Sequence, residues 1–337
     1  MEVVRLPRFP LRLLRRYWAE LFAFAGLVAL IIGVNPPKLG HAFAHVSWPL
    51  ALGMVPVVLA LYLCRGTAWW YALRGIGEHA RFSQVQTIEL AGQVMIILPM
   101  GDLARVAMVR DADREHGIGA ITATVALQEL LYMWMVSLGA LPQLAQRHDV
   151  ALFMLISTFG FGFVFAVILW EPLYQRAIRI VEHVRVLRRF DQQLHEIRPA
   201  FVTLCKPRTL LPIAAYQALA AVLSFFLFYM ALLAVGVTNV SYITAVFVLG
   251  VSYTFSAISF LPLGIGAFEG LLTVIMLTYG IPAATGAAAA LIYRGYNDVL
   301  MAAIGGPALL FVRRMQRSGR WRGAAPAEPR RTVTATS

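Results

Sequence analysis

Two charged residues in the last apolar segment have the spacing of an ion pair. Arg294 and Asp298 stand four residues apart, so their side chains share one face of a helix. A charge inside a membrane span costs about 2.5–3.5 kcal/mol on insertion scales and therefore needs a partner or a ligand. Arginine binds phosphate through two N–H groups, and a carboxylate can hold the guanidinium in place. The pair predicts a headgroup site, or an ion pair that only fixes the rotation of the helix.

A proline–glycine break precedes a third charged residue. Residues 261–269 read Leu-Pro-Leu-Gly-Ile-Gly-Ala-Phe-Glu, and because Pro removes a donor and Gly weakens helical order, a helix must be interrupted here. Gly264 and Gly266 predict exposed N–H groups that hold an anion, or simple helix termination. Glu269 predicts a partner for Arg294, a protonatable switch, or an acid stabilised by the dipole of its helix.

A related break lies in the first half of the chain. Residues 98–102 read Leu-Pro-Met-Gly-Asp, and Gly101, Asp102 and Arg105 occupy the place of the residues around the second break. They are either a second binding set or interfacial residues on a cytoplasmic loop. Glu129 lies near the centre of the next apolar segment, where an unpaired carboxylate would be protonated. The candidate substrate-binding residues are Arg294, Asp298, Glu269, Gly264, Gly266, Gly101, Asp102, Arg105 and Glu129.

The elements that position these residues are membrane helices. The 337-residue chain is 59% hydrophobic, with a mean hydropathy of +0.70, and apolar runs of spanning length recur along it. The fold class is therefore an all-α polytopic membrane protein. The formal charge is +12, but the basic residues flank the apolar runs. This pattern indicates anchoring at anionic headgroups and not nucleic-acid binding.

The arginines also predict the topology. We expect about six full spans and two re-entrant broken hairpins, arranged as inverted repeats, with both termini cytoplasmic. Trp18–Val34 is the first span and Trp48–Leu63 the second, after which Arg65, Arg74 and Arg81 mark the cytoplasmic face. The predicted units are a basic tail (1–17), a first repeat (18–141) with a hairpin at 82–109, a second repeat (150–312) with a cytoplasmic amphipathic helix at 171–208 and a hairpin at 242–280, and a basic, disordered tail (313–337).

The ordered motifs resemble a known family. The run from Leu98 to Arg105, the run from Leu261 to Glu269 and the pair Tyr293-Arg294 together resemble the lysylphosphatidylglycerol synthase transmembrane, or flippase-like, family. In some relatives a separate cytoplasmic domain attaches an amino acid to phosphatidylglycerol. This sequence has no such domain, so the resemblance implies lipid translocation without lipid synthesis. Relatives often carry an acidic–basic pair in the span after the first hairpin, whereas here Glu129 is followed by Leu130.

These observations favour a lipid translocase of the bacterial inner membrane. It would move an anionic or modified lipid through a groove lined by the two hairpins, with no cofactor and no metal. The partners expected are membrane lipids, not nucleic acid, with a homo-oligomer or an envelope-biosynthesis partner left open. The alternatives are a lipid-modifying membrane enzyme and a non-catalytic partner of a biosynthetic complex. The sequence contains no His-Glu-x-x-His motif, no serine nucleophile elbow and no paired aspartates in spans, so we expect no enzyme activity.

Overall fold

The computed structural model describes residues 32, 36–95, 103–112, 117–182, 191–259 and 264–318. Within these ranges the regular structure is helical. The helices are α1 (Pro36–Ala44), α2 (Trp48–Gly75), α3 (Phe82–Gly92), α4 (Leu103–Ala112), α5 (Ile118–Ala140), α6 (His148–Leu169), α7 (Glu171–Glu182), α8 (Asp191–Leu204), α9 (Pro207–Ala234), α10 (Tyr242–Ile258), α11 (Ala267–Thr278), α12 (Ala283–Arg294) and α13 (Met301–Arg317). A 3₁₀ helix (Leu141–Gln146) follows α5, and a π-helical segment (Gly295–Leu300) joins α12 to α13.

Five described helical segments are long and apolar enough to cross a membrane. They are α2, α5 with its 3₁₀ extension, α6, α9, and the continuous run from α12 to α13. At 1.5 Å per residue, the 28 residues of α2 extend about 42 Å, more than the hydrocarbon core of a bilayer. The predicted all-α polytopic class is confirmed. The predicted first span, Trp18–Val34, lies outside the described residues except for Ile32.

Four shorter helices flank the two predicted breaks. α3 and α4 have 11 and 10 residues, and α10 and α11 have 17 and 12. Each is shorter than the roughly 20 residues that a straight span needs. α10 begins where the Ser241 hydroxyl accepts the Thr244 N–H at 3.1 Å, which satisfies a backbone donor at the start of the helix. The re-entrant path of either pair stays a prediction.

The longest helix pair forms the centre of the bundle. α2 and α9 have 28 residues each and run antiparallel. At one end the Ser47 N–H donates to the Ala234 carbonyl at 2.9 Å, and at the other end Gly75 lies against Thr209. The side chains of α10, α11 and α12 pack on this pair at one level, and those of α3, α5 and α8 pack at the other. Both broken segments therefore rest on the same central pair.

The polar interval after α6 is helical where the structure describes it. One amphipathic helix was expected over 171–208; the described residues form α7 and α8, and residues 183–190 between them lie outside the description, so a single continuous helix stays a prediction. α8 ends at Leu204 because Pro207, which lacks an N–H, begins α9. Phe201 and Leu204 are fully buried, so the end of α8 packs into the protein.

Candidate functional site

Three charged side chains meet beside the second break. Arg294, the last residue of α12, lies between Glu269 of α11 and Asp298 of the π-helical segment. Its Nε lies 2.7 Å from Glu269 Oε1, and its Nη1 donates to Asp298 Oδ2 at 3.0 Å. The structure thus confirms the predicted Arg294–Asp298 pair and one of the roles considered for Glu269. We call Glu269, Arg294 and Asp298 the three-charge cluster.

The second break shapes this cluster through two glycines. Gly264 and Gly266 have φ angles of +60° and +84°, a region that favours glycine. A Cβ on Gly264 would lie only 1.5 Å from Ser256 Oγ. The Gly266 N–H donates to Glu269 Oε2 at 2.7 Å, and this contact closes the first turn of α11. In this conformation Glu269 therefore takes the Gly266 amide that was predicted to bind an anion.

The three members of the cluster differ in access to solvent or ligand. The Glu269 side chain is only 2% exposed, whereas Arg294 and Asp298 are 13% and 19% exposed. The Arg294 guanidinium lies 4.8 Å from the ring centroid of Phe268, which covers part of its face. The cluster is therefore sealed on the side of Glu269 and accessible on the side of Asp298.

A second group of charges lies beside the first break. Arg65 of α2, Glu89 of α3, Arg105 of α4 and Glu129 of α5 form a closed ring of alternating charge, which we call the four-charge cluster. Glu129 Oε1 accepts from Arg65 Nη2 at 2.6 Å and from Arg105 Nη2 at 2.8 Å. Glu89 closes the ring through an ion pair with Arg105 and a 3.5 Å approach to Arg65 Nε. Each residue comes from a different helix, so the ring joins four elements.

The four-charge cluster is more deeply buried than the three-charge cluster. The side chains of Glu89 and Arg105 have no exposed surface, and Arg65 is 8% exposed. Only Glu129, at 24%, is partly accessible. The neighbouring Gln128 donates to the Arg65 carbonyl at 3.2 Å. In this state the predicted binding residues Arg105 and Glu129 engage each other and their helix neighbours.

Arg65 and Glu89 were missed by the sequence reasoning. Arg65 was predicted, with Arg74 and Arg81, to mark the cytoplasmic face, which stays a prediction. The structure places Arg65 inside α2, ten residues before its end at Gly75, where it is buried and paired with Glu89 and Glu129. Glu89 is an acid within an apolar run, the signal that singled out Glu129. A rule that treats every charge inside a long apolar run as buried would have found both residues.

Hydrogen bonds extend from the three-charge cluster to Tyr62, whose ring lies 5.9 Å from the Arg65 guanidinium of the four-charge cluster. The Tyr62 hydroxyl on α2, one turn before Arg65, donates to the backbone carbonyl of Asn297 at 2.9 Å. The Asn297 side-chain amide donates to Asp298 Oδ1 at 2.7 Å and to the Tyr253 hydroxyl at 3.3 Å. Tyr293 then links Tyr253 to Ser224 of α9. Tyr62 lies within electrostatic reach of both Arg65 and Asp298.

The remaining candidate residues are Gly101 and Asp102, which lie outside the described residues. Among the residues that the structure describes, no group of three or more His, Cys, Asp or Glu side chains is arranged to hold a metal ion. The chemistry that the two clusters offer is therefore ionic. A guanidinium that is accessible on one side, as Arg294 is beside Asp298, can bind a phosphate, and a carboxylate can bind a proton or a cation.

Comparison with known proteins agrees with this description. The model of the family described as "Lysylphosphatidylglycerol synthase TM region" matches residues 17–305. This range includes every residue of the four-charge cluster and of the three-charge cluster. No curated protein matches the chain. Because the family match covers most of the sequence, the chain belongs to the lysylphosphatidylglycerol synthase transmembrane family.

Proposed function

We propose that the protein is a lipid translocase of the bacterial inner membrane, and not an enzyme. It would move an anionic or modified phospholipid between leaflets, with both termini in the cytoplasm. The observation that carries this proposal is the position of Arg294. This arginine lies inside a membrane-length helical run, about one third of the way from its start at Ala283, beside a broken helix, and is 13% exposed. Such a residue is unusual in a span unless it binds something.

The proposed mechanism uses Arg294 as the headgroup contact. A phosphate that approaches from the accessible side would exchange for Asp298 at Nη1, while Glu269 stays bound at Nε. The acyl tails would remain in the surrounding lipid, because only the headgroup needs a polar path. The broken segment can move as a unit, since Gly264 and Gly266 interrupt the helix between α10 and α11.

The order of the helices supports a repeat architecture for this mechanism. A 28-residue helix, two short helices and a spanning helix follow one another in α2–α5, and the same order recurs in α9–α13. The two leading helices, α2 and α9, run antiparallel, as two halves of opposite orientation require. We propose that the two halves are inverted repeats with re-entrant hairpins and that each hairpin opens to a different side.

Lipid movement by the purified protein tests this function. The protein would be reconstituted into vesicles of phosphatidylethanolamine and phosphatidylglycerol that contain fluorescent NBD-phosphatidylglycerol, and dithionite would quench the probe in the outer leaflet. We expect protein-containing vesicles to expose inner-leaflet probe faster than protein-free vesicles do, and Glu269→Gln to slow this movement. If the wild type moves neither anionic nor zwitterionic NBD-lipid, the translocase proposal fails, and a role as an enzyme or as a partner in a biosynthetic complex takes its place.

A further inference from the structure

The three-charge cluster carries an excess negative charge. Among the described residues, one arginine faces two carboxyl groups, which gives a formal charge of −1 when both are ionised. The four-charge cluster has two arginines and two glutamates and is formally neutral. A headgroup phosphate at Arg294 would add a further negative charge, for a total of −2. Buried charge of one sign is unfavourable, so entry of an anion here favours entry of a proton.

Of the two carboxyl groups, Asp298 is the better proton acceptor by geometry. Both oxygens of Glu269 accept from donors that have no acceptor function, the Arg294 guanidinium and the Gly266 amide. A proton on Glu269 would point its O–H at one of these two N–H donors, neither of which can accept a hydrogen bond. Asp298 Oδ1 faces the side-chain amide of Asn297, which can rotate to offer its oxygen to a new O–H. Asp298 is also the more exposed of the two.

Among the described residues, the groups that interact with Asp298 are Arg294 on its own helical run and tyrosines on three other helices. These tyrosines are Tyr62 of α2, Tyr132 of α5 and Tyr253 of α10. Tyrosine hydroxyls ionise near pH 10, so they are neutral at physiological pH. Arg65 lies behind Tyr62 and Tyr132, but its charge is already engaged by Glu89 and Glu129. A proton on Asp298 is therefore the simplest balance for the charge of an incoming phosphate.

We propose that Asp298 binds one proton for each anionic headgroup that binds Arg294, so that the protein is a proton–lipid symporter; this inference rests on the proposed translocase function. Protonated Asp298 releases Nη1 of Arg294 to the phosphate, and the proton and the lipid then cross together. By thermodynamic reciprocity, the proton strengthens headgroup binding as much as the headgroup strengthens proton binding. One proton and one singly charged lipid make the transported unit electrically neutral. A pH gradient, and not a membrane potential, would therefore drive it.

The transport test imposes the two driving forces separately. In vesicles of phosphatidylethanolamine and phosphatidylglycerol, a gradient of one pH unit should enrich NBD-phosphatidylglycerol about tenfold in the leaflet on the alkaline side. A potassium diffusion potential of either sign should leave the distribution unchanged. In Asp298→Asn the lipid should cross without a proton, so the potential should bias it and the pH gradient should not. Glu171→Gln, which alters an exposed acid of α7 that is paired with Arg198, should behave as the wild type.

A second measurement does not depend on lipid movement. Infrared spectra of the protein in phosphatidylglycerol vesicles, taken between about pH 8 and about pH 5, should show the C=O stretch of a protonated carboxyl group. The band should be stronger than in vesicles of phosphatidylcholine alone, be absent in Asp298→Asn and persist in Glu171→Gln. A band that is lost in Glu269→Gln but kept in Asp298→Asn would place the proton on Glu269 and overturn the assignment.

The outcomes separate this inference from the proposed function. Lipid movement that responds to potential or to a sodium gradient, but not to pH, would leave a translocase and overturn proton symport. If no NBD-lipid moves and no lipid-dependent band is lost in Asp298→Asn, both proposals fail. If no NBD-lipid moves but the band behaves as expected, the proton site stands and the translocase function fails.

Discussion

The two charged clusters use the same side-chain chemistry but differ in balance, connectivity and access. The four-charge cluster is formally neutral, joins four helices and buries Glu89 and Arg105 completely. The three-charge cluster has an excess negative charge, involves α11, the end of α12 and the π-helical segment that follows it, and is partly exposed at Arg294 and Asp298. In the four-charge cluster, Arg65 Nε and Glu89 Oε1 make only the 3.5 Å contact with each other and no hydrogen bond. Both atoms are buried, so a ligand could reach them only by opening the ring. We infer that the four-charge cluster holds helices together and that the three-charge cluster binds a ligand.

This contrast has an energetic basis. Removal of one partner from a buried ion pair leaves an uncompensated charge and is strongly destabilising, whereas replacement of both partners by apolar residues is often neutral. The stability of the protein should therefore depend on the ring as a complete unit. The three-charge cluster is partly exposed at Arg294 and Asp298, so we expect loss of a member to affect stability less and function more.

The largest effect on stability is expected for Arg105→Ala. This change removes the cation that pairs with both Glu89 and Glu129 in the buried ring, and we expect a loss of about 3–5 kcal/mol. Arg294→Ala, at the partly exposed cluster, should lose clearly less. Thermal unfolding of both variants in the same detergent, followed by tryptophan fluorescence, checks the comparison. Equal losses in the two variants would contradict the division of roles.

A double variant sharpens the same point. Glu89→Leu combined with Arg105→Leu removes one buried anion and one buried cation and leaves Arg65 paired with Glu129. We expect it to recover more than half of the stability that Arg105→Leu alone loses, because no unpaired charge remains. Additive losses from the two single changes, measured by the same unfolding assay, would mean that the ring does not act as a unit.

At the second break, Gly264→Ala is expected to destabilise by about 1–3 kcal/mol. The residue has φ of +60°, and the new Cβ would overlap Ser256 Oγ. Adding Ser256→Ala removes the overlap with Oγ but leaves the Cβ of residue 256 at 2.7 Å and the backbone strain, so we expect only a small recovery. Gly270→Ala on α11, where a Cβ meets nothing within 4 Å, is the matched control and should be neutral or stabilising. A harmless Gly264→Ala would show that the break does not need this backbone angle.

The smallest effect is expected for Tyr62→Phe, which cuts the link between the clusters. It removes one hydrogen bond to the Asn297 carbonyl and should cost about 1 kcal/mol. Tyr242→Phe removes a long, exposed 3.5 Å contact to the Val222 carbonyl and serves as control. If the link also couples the clusters, Tyr62→Phe should slow lipid movement more than its loss of stability explains. Identical rates per folded molecule in the two variants would rule this coupling out.

The sequence predicted the local part of the site better than the part assembled from distant segments. The Arg294–Asp298 pair follows from a four-residue spacing, and the position of Glu269 follows from the break before it. Both signals are local. Glu129 had no visible partner, because its partners, Arg65 and Arg105, come from two other helices and no periodicity in one helix identifies its neighbour.

The fold shows the same division. Hydropathy was sufficient to predict the long helices, and the proline–glycine run predicted the interruption near Gly264, because both signals depend on nearby residues. Neither signal showed that Arg65 lies within α2, ten residues before the end of the helix, or that it is buried. A buried, ion-paired arginine and an arginine at the headgroups look alike in sequence, since the difference lies in Glu89 and Glu129 on other helices. Gly101 and Asp102 lie outside the described residues, and their role stays a prediction.

The most direct test of the account compares lipid movement per folded molecule for two matched changes, Arg65→Gln and Arg294→Gln. Both would be reconstituted from monodisperse protein into the same vesicles with NBD-phosphatidylglycerol, and the rates would be divided by the amount of folded protein. We expect Arg294→Gln to slow movement at least about tenfold, the loss of one charge-assisted contact, and Arg65→Gln to remain within about threefold of the wild type while being less stable. A normal rate in Arg294→Gln, or a larger loss in Arg65→Gln, would contradict the account.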